Sequence, residues 1–312
     1  MSLPMTIENE FLRVEVYPHF GGKVLSIVDK ADEYELLFDY PSEFPTAPAY
    51  DKPYGDSYYA GWDECFPAVA SGPYPSHPYT GITIPDHGEL WGIPAAAVPM
   101  RQGISTEWHG LRFGYTLSRK LWLDGPSLIA EYVLSNLAPF DFHFVWAMHA
   151  LSSLHAPVEL ELPPGSYRLS HDAEGRQYDQ TFTWPMDTLG EDLSRPLELA
   201  GKIGRKVFSV DAIGAPAVVR YPTRRGGRSL QIEYSSPDQI RAYWGVWINT
   251  GGWQGHRHFA IEPTTGRFDQ LDRSLHDGSA ARVPAGGKAS WSVRWTVGSL
   301  NAPASASASG PQ

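Results

Sequence analysis

Apolar and polar residues alternate strictly in at least four stretches of this chain, and turn residues interrupt them before any helix of ordinary length could form. Leu12, Val14 and Val16 alternate with Arg13 and Glu15; Val158, Leu160 and Leu162 with Glu159 and Glu161; Leu230, Ile232 and Tyr234 with Gln231 and Glu233. The strongest run sets Trp291, Val293, Trp295 and Val297 against Ser292, Arg294 and Thr296. A period of two puts one set of side chains on each face of a strand, so these segments are half-buried antiparallel strands. The 30 Gly and 27 Pro are scattered through the chain and leave few uninterrupted helical windows. Gly21-Gly22, Gly226-Gly227 and Gly286-Gly287 sit beside such runs and predict hairpin connections.

Many short strands with these turns favour a β-sandwich or barrel. No Pro/Ser/Gly linker divides the chain before Leu300, so residues 5–299 are expected to form one domain. Residues 300–312 have nothing to bury and are expected to be a disordered tail. Residues 39–85, rich in Pro, Tyr and Asp, read as a long aromatic loop walling a binding site. Residues 185–206 read as a polar connection with one short helical turn at most.

Composition excludes whole classes of function. The net charge is −10 with pI near 5.5, and 35 acidic residues outnumber 25 basic ones, which is the wrong balance for a nucleic-acid partner. The lone Cys65 removes disulfide frameworks and cysteine zinc sites and points to a reducing cytoplasm. No apolar run approaches the ~20 residues that span a bilayer, and no signal pattern opens the chain, so neither a membrane partner nor processing is expected. The 11 Trp, 16 Tyr and 13 Phe supply ring faces of the kind that pack against sugars. The sequence does not indicate an oligomeric state.

Three segments place an ionisable side chain among aromatic and apolar neighbours: Asp86-His87-Gly88-Glu89-Leu90-Trp91, Val145-Trp146-Ala147-Met148-His149 and Ala260-Ile261-Glu262-Pro263. Imidazole donates from one nitrogen, accepts at the other and titrates near neutrality, which suits His87 and His149 to proton work on a hydroxylated ring. Taken alone, a loop histidine is more often structural, and a strand histidine is as often satisfied by a backbone carbonyl. The run from Phe142 to His149 alternates as one strand with His143, Val145, Ala147 and His149 on one face, and two histidines on one face of an apolar strand suggest a solvated pocket. Glu262 ends an apolar strand before a proline, where a carboxylate must be paired or used; Arg257 and Arg267 are the nearby cations that would pair it. Trp62, Asp63, Glu64, Trp91, Trp247 and Asn249 are the candidate sugar contacts. A metal reading rests on His87-x-Glu89 and His256-x-His258, whose i, i+2 spacing puts two ligands on one strand face, without a completed set.

Taken together the segments resemble the galactose mutarotase-like family, the aldose 1-epimerases and their relatives. The likeness runs from Leu12–Ile27 with its paired glycines, through Asp86-His87-Gly88 and His149, to Ile261-Glu262-Pro263, in that order. It implies a large antiparallel β-supersandwich with few short helices and a cleft across one sheet. It implies an isomerase that interconverts sugar anomers without cofactor or metal. Glu262 would take the proton of the anomeric hydroxyl, His149 would protonate the ring oxygen and His87 would steady that oxygen. Competing expectations are a carbohydrate-binding protein without turnover, and a metal-dependent sugar isomerase or lyase using His87, Glu89 and His149.

Overall fold

The computed structural model describes residues 3–39, 49–224 and 226–300. The predicted tail beyond Leu300 and residues 40–48 of the predicted aromatic loop lie outside them. The strand pairs are antiparallel, as the alternation requires, and most belong to two large sheets that pack face to face. Among the described residues the α-helical content is one short helix, Leu271–His276.

The first sheet has its strands in the order Met5–Glu8, Leu12–Tyr17, Lys23–Asp29, Trp62–Cys65, Ala147–Ala150, Arg257–Thr264, Tyr243–Thr250, Gly204–Ser209, Ser166–Asp172 and Thr181–Thr183. The second runs Glu159–Glu161, Ala217–Thr223, Gly226–Ser235, Lys288–Ser299, Ser127–Asn136, Tyr115–Asp124, Gly103–His109 and Ala96–Met100. The inward residues of both sheets share one hydrophobic core. Val14, Val16 and Val24 of the first sheet meet Leu117, Leu134, Trp291, Val293 and Trp295 of the second. This is the supersandwich that the resemblance implied, within the sandwich-or-barrel class that the alternation favoured.

Three local expectations are corrected. Trp62–Cys65 lies inside the stretch expected to be loop, yet it is a strand in the middle of the first sheet, buried along its whole length. A strand covered on both faces loses the alternation that reveals half-exposed ones, which explains the misreading. The run 142–149 is two strands, not one: Phe142–Phe144 pairs with Ala281–Val283, Ala147–Ala150 joins the first sheet, and Val145-Trp146 break the pleat between them. His143 therefore leaves the face of His149. Gly286-Gly287 connects Ala281–Val283 to Lys288–Ser299, but these strands pair with other partners and form no hairpin. By contrast, Gly21-Gly22 and the turn before Gly226–Ser235 do join antiparallel neighbours.

Candidate active site

The outer face of the first sheet carries a row of ionisable side chains on adjacent strands. In strand order they are Asp63, His149, Glu262, Lys206 and His171, with the strand Tyr243–Thr250 contributing Trp247. Gly245 stands opposite Glu262 and presents no side chain on that face, so Lys206 of the next strand reaches across to the carboxylate. Lys206 Nζ donates to Glu262 Oε2 at 2.5 Å and lies 3.7 Å from Asp269 Oδ1. His171 Nε2 is 3.7 Å from the other oxygen of Asp269.

Above the row opens a cavity of about 520 Å³, within the roughly 300–1,000 Å³ of small-ligand sites. His149, Lys206, Asp269 and His171 lie along its floor, while Tyr54, His87, Trp247 and Trp253 stand in its walls. His87 is delivered by a strained turn. Its φ is +58° and that of Gly88 is +78°; a Cβ on Gly88 would fall 2.1 Å from the Phe66 carbonyl oxygen, so only glycine fits there. The His87 ring stacks on Tyr54 at 3.9 Å, stands edge-on to His149 at 5.1 Å, and bonds Asp86 Oδ1 through Nδ1 at 2.8 Å.

Glu262 is the most constrained group. It is fully buried and does not line the cavity. One carboxylate oxygen is held by Lys206; the other, Oε1, has no hydrogen-bond partner among the described residues and lies 3.8 Å from His149 Nε2. Burial pushes its pKa up, and Lys206 only partly opposes that. Burial likewise pushes His149 well below the usual imidazole range, with His87 and Lys206 adding to the effect, so the ring is neutral at pH 7. Lys206 goes the other way: burial disfavours its charge, but Asp269 and Glu262 more than offset this and hold it an ammonium.

A second chain runs beneath His149. Tyr54 Oη is 3.3 Å from His149 Nδ1 and donates to Asp63 Oδ2 at 2.8 Å; Lys23 Nζ donates to the same Asp63 oxygen. Lys23 and Asp63 are both buried.

The structure thus brings His87, His149 and Trp247 to the cavity, whereas Glu262 and Asp63, both expected to meet the sugar, are buried beside His149 and off the lining. It does not bring the remaining candidates to the cavity, and these expectations are corrected. Trp62 faces the core, stacked on Trp295 at 5.4 Å. Glu64, two residues on, shares that inward face and is held by Trp62, Arg119, Tyr132 and Trp146. Trp91 is buried behind Tyr54, its Nε1 donating to the Asp86 carbonyl at 2.7 Å, so it props the wall from behind. Asn249 is buried too. It accepts from the Gly251 and Trp253 amides and donates to the Trp253 carbonyl, fixing the turn that stands Trp253 at the cavity.

The pair His87 and Glu89 does not share a face, because the Glu89 carboxylate is turned inward to Tyr50, Tyr115 and the Arg112 amide. His258 is packed against Phe38 and bonded to Asn249. Among the described residues no group of three metal-ligating side chains converges. Neither anticipated arginine holds Glu262: Arg267 pairs with Asp277, Arg257 is exposed at the start of its strand, and the partner of Glu262 is Lys206.

Sequence reasoning missed Lys206, Asp269, His171 and the role of Tyr54. A lysine preceding Val207-Phe208 in a wholly buried strand was the one available signal. It was hidden because residues up to 206 were expected to be a loop.

Two packed antiparallel sheets with a polar cleft on the outer face of one are the galactose mutarotase-like fold. No family model and no curated protein sequence matches the chain, but solved structures do. A galactose mutarotase-like protein from Lactobacillus casei ATCC 334 superposes with a TM-score of 0.70 at 17% identity over 95% of this chain and 100% of its own. A galactose mutarotase related enzyme from Lactobacillus acidophilus gives 0.63 at 14% identity over 95% and 98%. The Slr1438 protein from Synechocystis sp. PCC 6803 gives 0.73 at 16% identity over 96% of both chains. At these identities the likeness is one of fold.

Proposed function

We propose that this protein is an aldose 1-epimerase-type isomerase that interconverts the anomers of a neutral sugar. One observation carries the reading. His87, His149 and Glu262, far apart in sequence, meet beside one small-ligand cavity, and the free oxygen of Glu262 lies 3.8 Å from His149 Nε2. Trp247 and Trp253 in the walls offer ring faces to the C–H side of a pyranose.

Ring opening needs a proton taken from the anomeric hydroxyl and another given to the ring oxygen. His149 and Lys206 contact Glu262 directly and also line the cavity, so both transfers are assigned to them. Glu262 lies behind and contacts each. This revises the direct contact between Glu262 and sugar that the family resemblance implies. His87, with Nδ1 held by Asp86, turns its other nitrogen to a sugar oxygen. Lys206 is already paired with two carboxylates, which leaves it no spare charge for a phosphate and favours an uncharged ligand.

Burial of Glu262 under Lys206 favours a second reading, a sugar-binding protein without turnover. Polarimetry or exchange NMR on freshly dissolved α-aldoses separates the two. The isomerase reading expects faster anomerisation that is lost in Glu262→Gln and His149→Asn. Unchanged anomerisation of every common hexose and pentose, with binding retained in calorimetry, would establish the second. The lone Cys65 is buried, and no helix among the described residues is long and apolar enough to cross a membrane; both are compatible with work in the cytoplasm on a soluble sugar.

A further inference from the structure

We propose that the buried chain Lys23, Asp63, Tyr54 fixes His149 in its Nδ1–H tautomer, so that Nε2 meets the ligand as a lone pair and His149 is the base of the reaction. The proposal rests on the sugar-isomerase reading for its chemistry but not for its geometry.

A tyrosine hydroxyl has one hydrogen and a carboxylate has none. Tyr54 Oη and Asp63 Oδ2 are 2.8 Å apart, so the hydrogen between them is the tyrosine's, and Lys23 adds a second donor to the same oxygen. Asp63 Oδ1 has no partner among the described residues, so within them Oδ2 is where this buried carboxylate finds its hydrogen bonds. With its hydrogen so committed, Tyr54 Oη can only accept at its 3.3 Å contact with His149 Nδ1. The ring hydrogen is then on Nδ1.

The opposite edge of the ring supports this independently. An N–H on Nε2 would find Glu262 Oε1 as its acceptor, yet the two atoms stand 3.8 Å apart and Oε1 takes no hydrogen bond from the described residues. Two facing acceptors keep that separation. Once Nε2 gains a proton, the same oxygen becomes its counter-ion.

The step balances. The anomeric O1–H bond breaks and its proton goes to Nε2. The electron pair of C1–O5 leaves on O5, which takes a proton from the Lys206 ammonium, and C1=O1 forms. Closure on the other face reverses both transfers. These roles are the reverse of those implied by the resemblance, where His149 is the acid. Tyr54 and Asp63 are positioning residues that act through the imidazole.

The test is long-range ¹H–¹⁵N correlation on the labelled full chain near pH 7.5, with the His149 signals assigned by their loss in His149→Asn. The expected pattern is a pyrrole-type Nδ1 and a pyridine-type Nε2, exchanging places in Tyr54→Phe, where Nδ1–H loses its acceptor and Nε2–H gains Glu262. In Asp63→Asn, an amide donating to Tyr54 should turn the tyrosine hydrogen toward Nδ1 with the same exchange. A pyrrole-type Nε2 in the unaltered protein would overturn the proposal, whatever the variants do. So would an unchanged pattern in a folded Tyr54→Phe. If the tautomer is as stated but no sugar anomerises faster, the isomerase reading falls and the geometry stands.

Discussion

Glu64 and Glu262 are both buried carboxylates on the first sheet, each beside a cation, and they have opposite fates. Glu64 points between the sheets, where Oε1 accepts from Arg119, Tyr132 and Trp62 and Oε2 from Trp146, at 2.8–3.0 Å. Every lone-pair direction that matters is used. Glu262 points to the outer face, spends one oxygen on Lys206 and leaves the other without a partner among the described residues, beside a neutral histidine at a cavity. Burial raises the pKa of both, so the shift does not separate them; hydrogen-bond saturation does. A saturated buried carboxylate holds the fold, and an unsaturated one behind the ionisable lining of a cavity is poised for a proton.

Stability should break this symmetry most strongly. Glu64→Leu strands the Arg119 guanidinium, which is fully buried, and should cost about 3–5 kcal/mol in urea unfolding. Lys206 keeps Asp269 at 3.7 Å when Glu262 is removed, so Glu262→Leu should cost less, about 1–3 kcal/mol. Equal losses would mean that Glu262 is as structural as Glu64.

Activity should divide the pair in the other direction. Glu262→Gln keeps the shape and removes the counter-ion of His149, so anomerisation measured by exchange NMR should fall about 10²-fold or more. Glu64 touches nothing in the cavity. A folded Glu64→Gln that retains the rate sharpens the contrast, and one that loses it as fully as Glu262→Gln breaks it.

How much of this was legible depended on whether a strand shows one face to water. Leu12–Tyr17, Gly226–Ser235 and Lys288–Ser299 alternate buried and half-buried residues, and their pattern alone gave the fold class. Trp62–Cys65 and Gly204–Ser209 are buried on both faces and looked like loops, so the strands carrying Asp63 and Lys206 escaped. His149 and Glu262 were visible because an ionisable residue ends an apolar run. Trp62, Trp91 and Asn249 were misplaced for the opposite reason: composition shows that an aromatic or amide is present, not which face of the sheet it takes. Asp269 sits in a turn before the helix Leu271–His276, where nothing local distinguishes it.

The titration of the site gives a smaller effect with a definite sign. His149 is held well below 6.5 and His258 is pushed down to about 3, both chiefly by burial. The unfolded chain therefore binds protons that the folded one refuses, so stability is complete above about pH 6.5 and falls as pH drops toward the folded values. The slope is at most about 1.4 kcal/mol per pH unit for each histidine. Glu64 and Glu262 act oppositely, since raised carboxyl values favour the native state at low pH and lose that contribution as pH rises through them. Urea unfolding from pH 7.5 to 5 should show the histidine slope, reduced in His149→Asn. An identical slope in that variant would mean that His149 is already protonated in the folded protein.

The smallest expected effect concerns the wall, not the floor. Trp247 is half-buried at the cavity, opposite Lys206 in the sheet register, and its ring makes a tilted approach to His171 at 6.3 Å. Stacking of a sugar on an aromatic face contributes on the order of 1 kcal/mol, and a contact of that kind is made equally in the ground and transition states. Trp247→Ala should therefore raise KM by up to about tenfold and leave kcat nearly unchanged. A fall in kcat without a change in KM would place Trp247 in the proton machinery and move the boundary between binding wall and reacting floor.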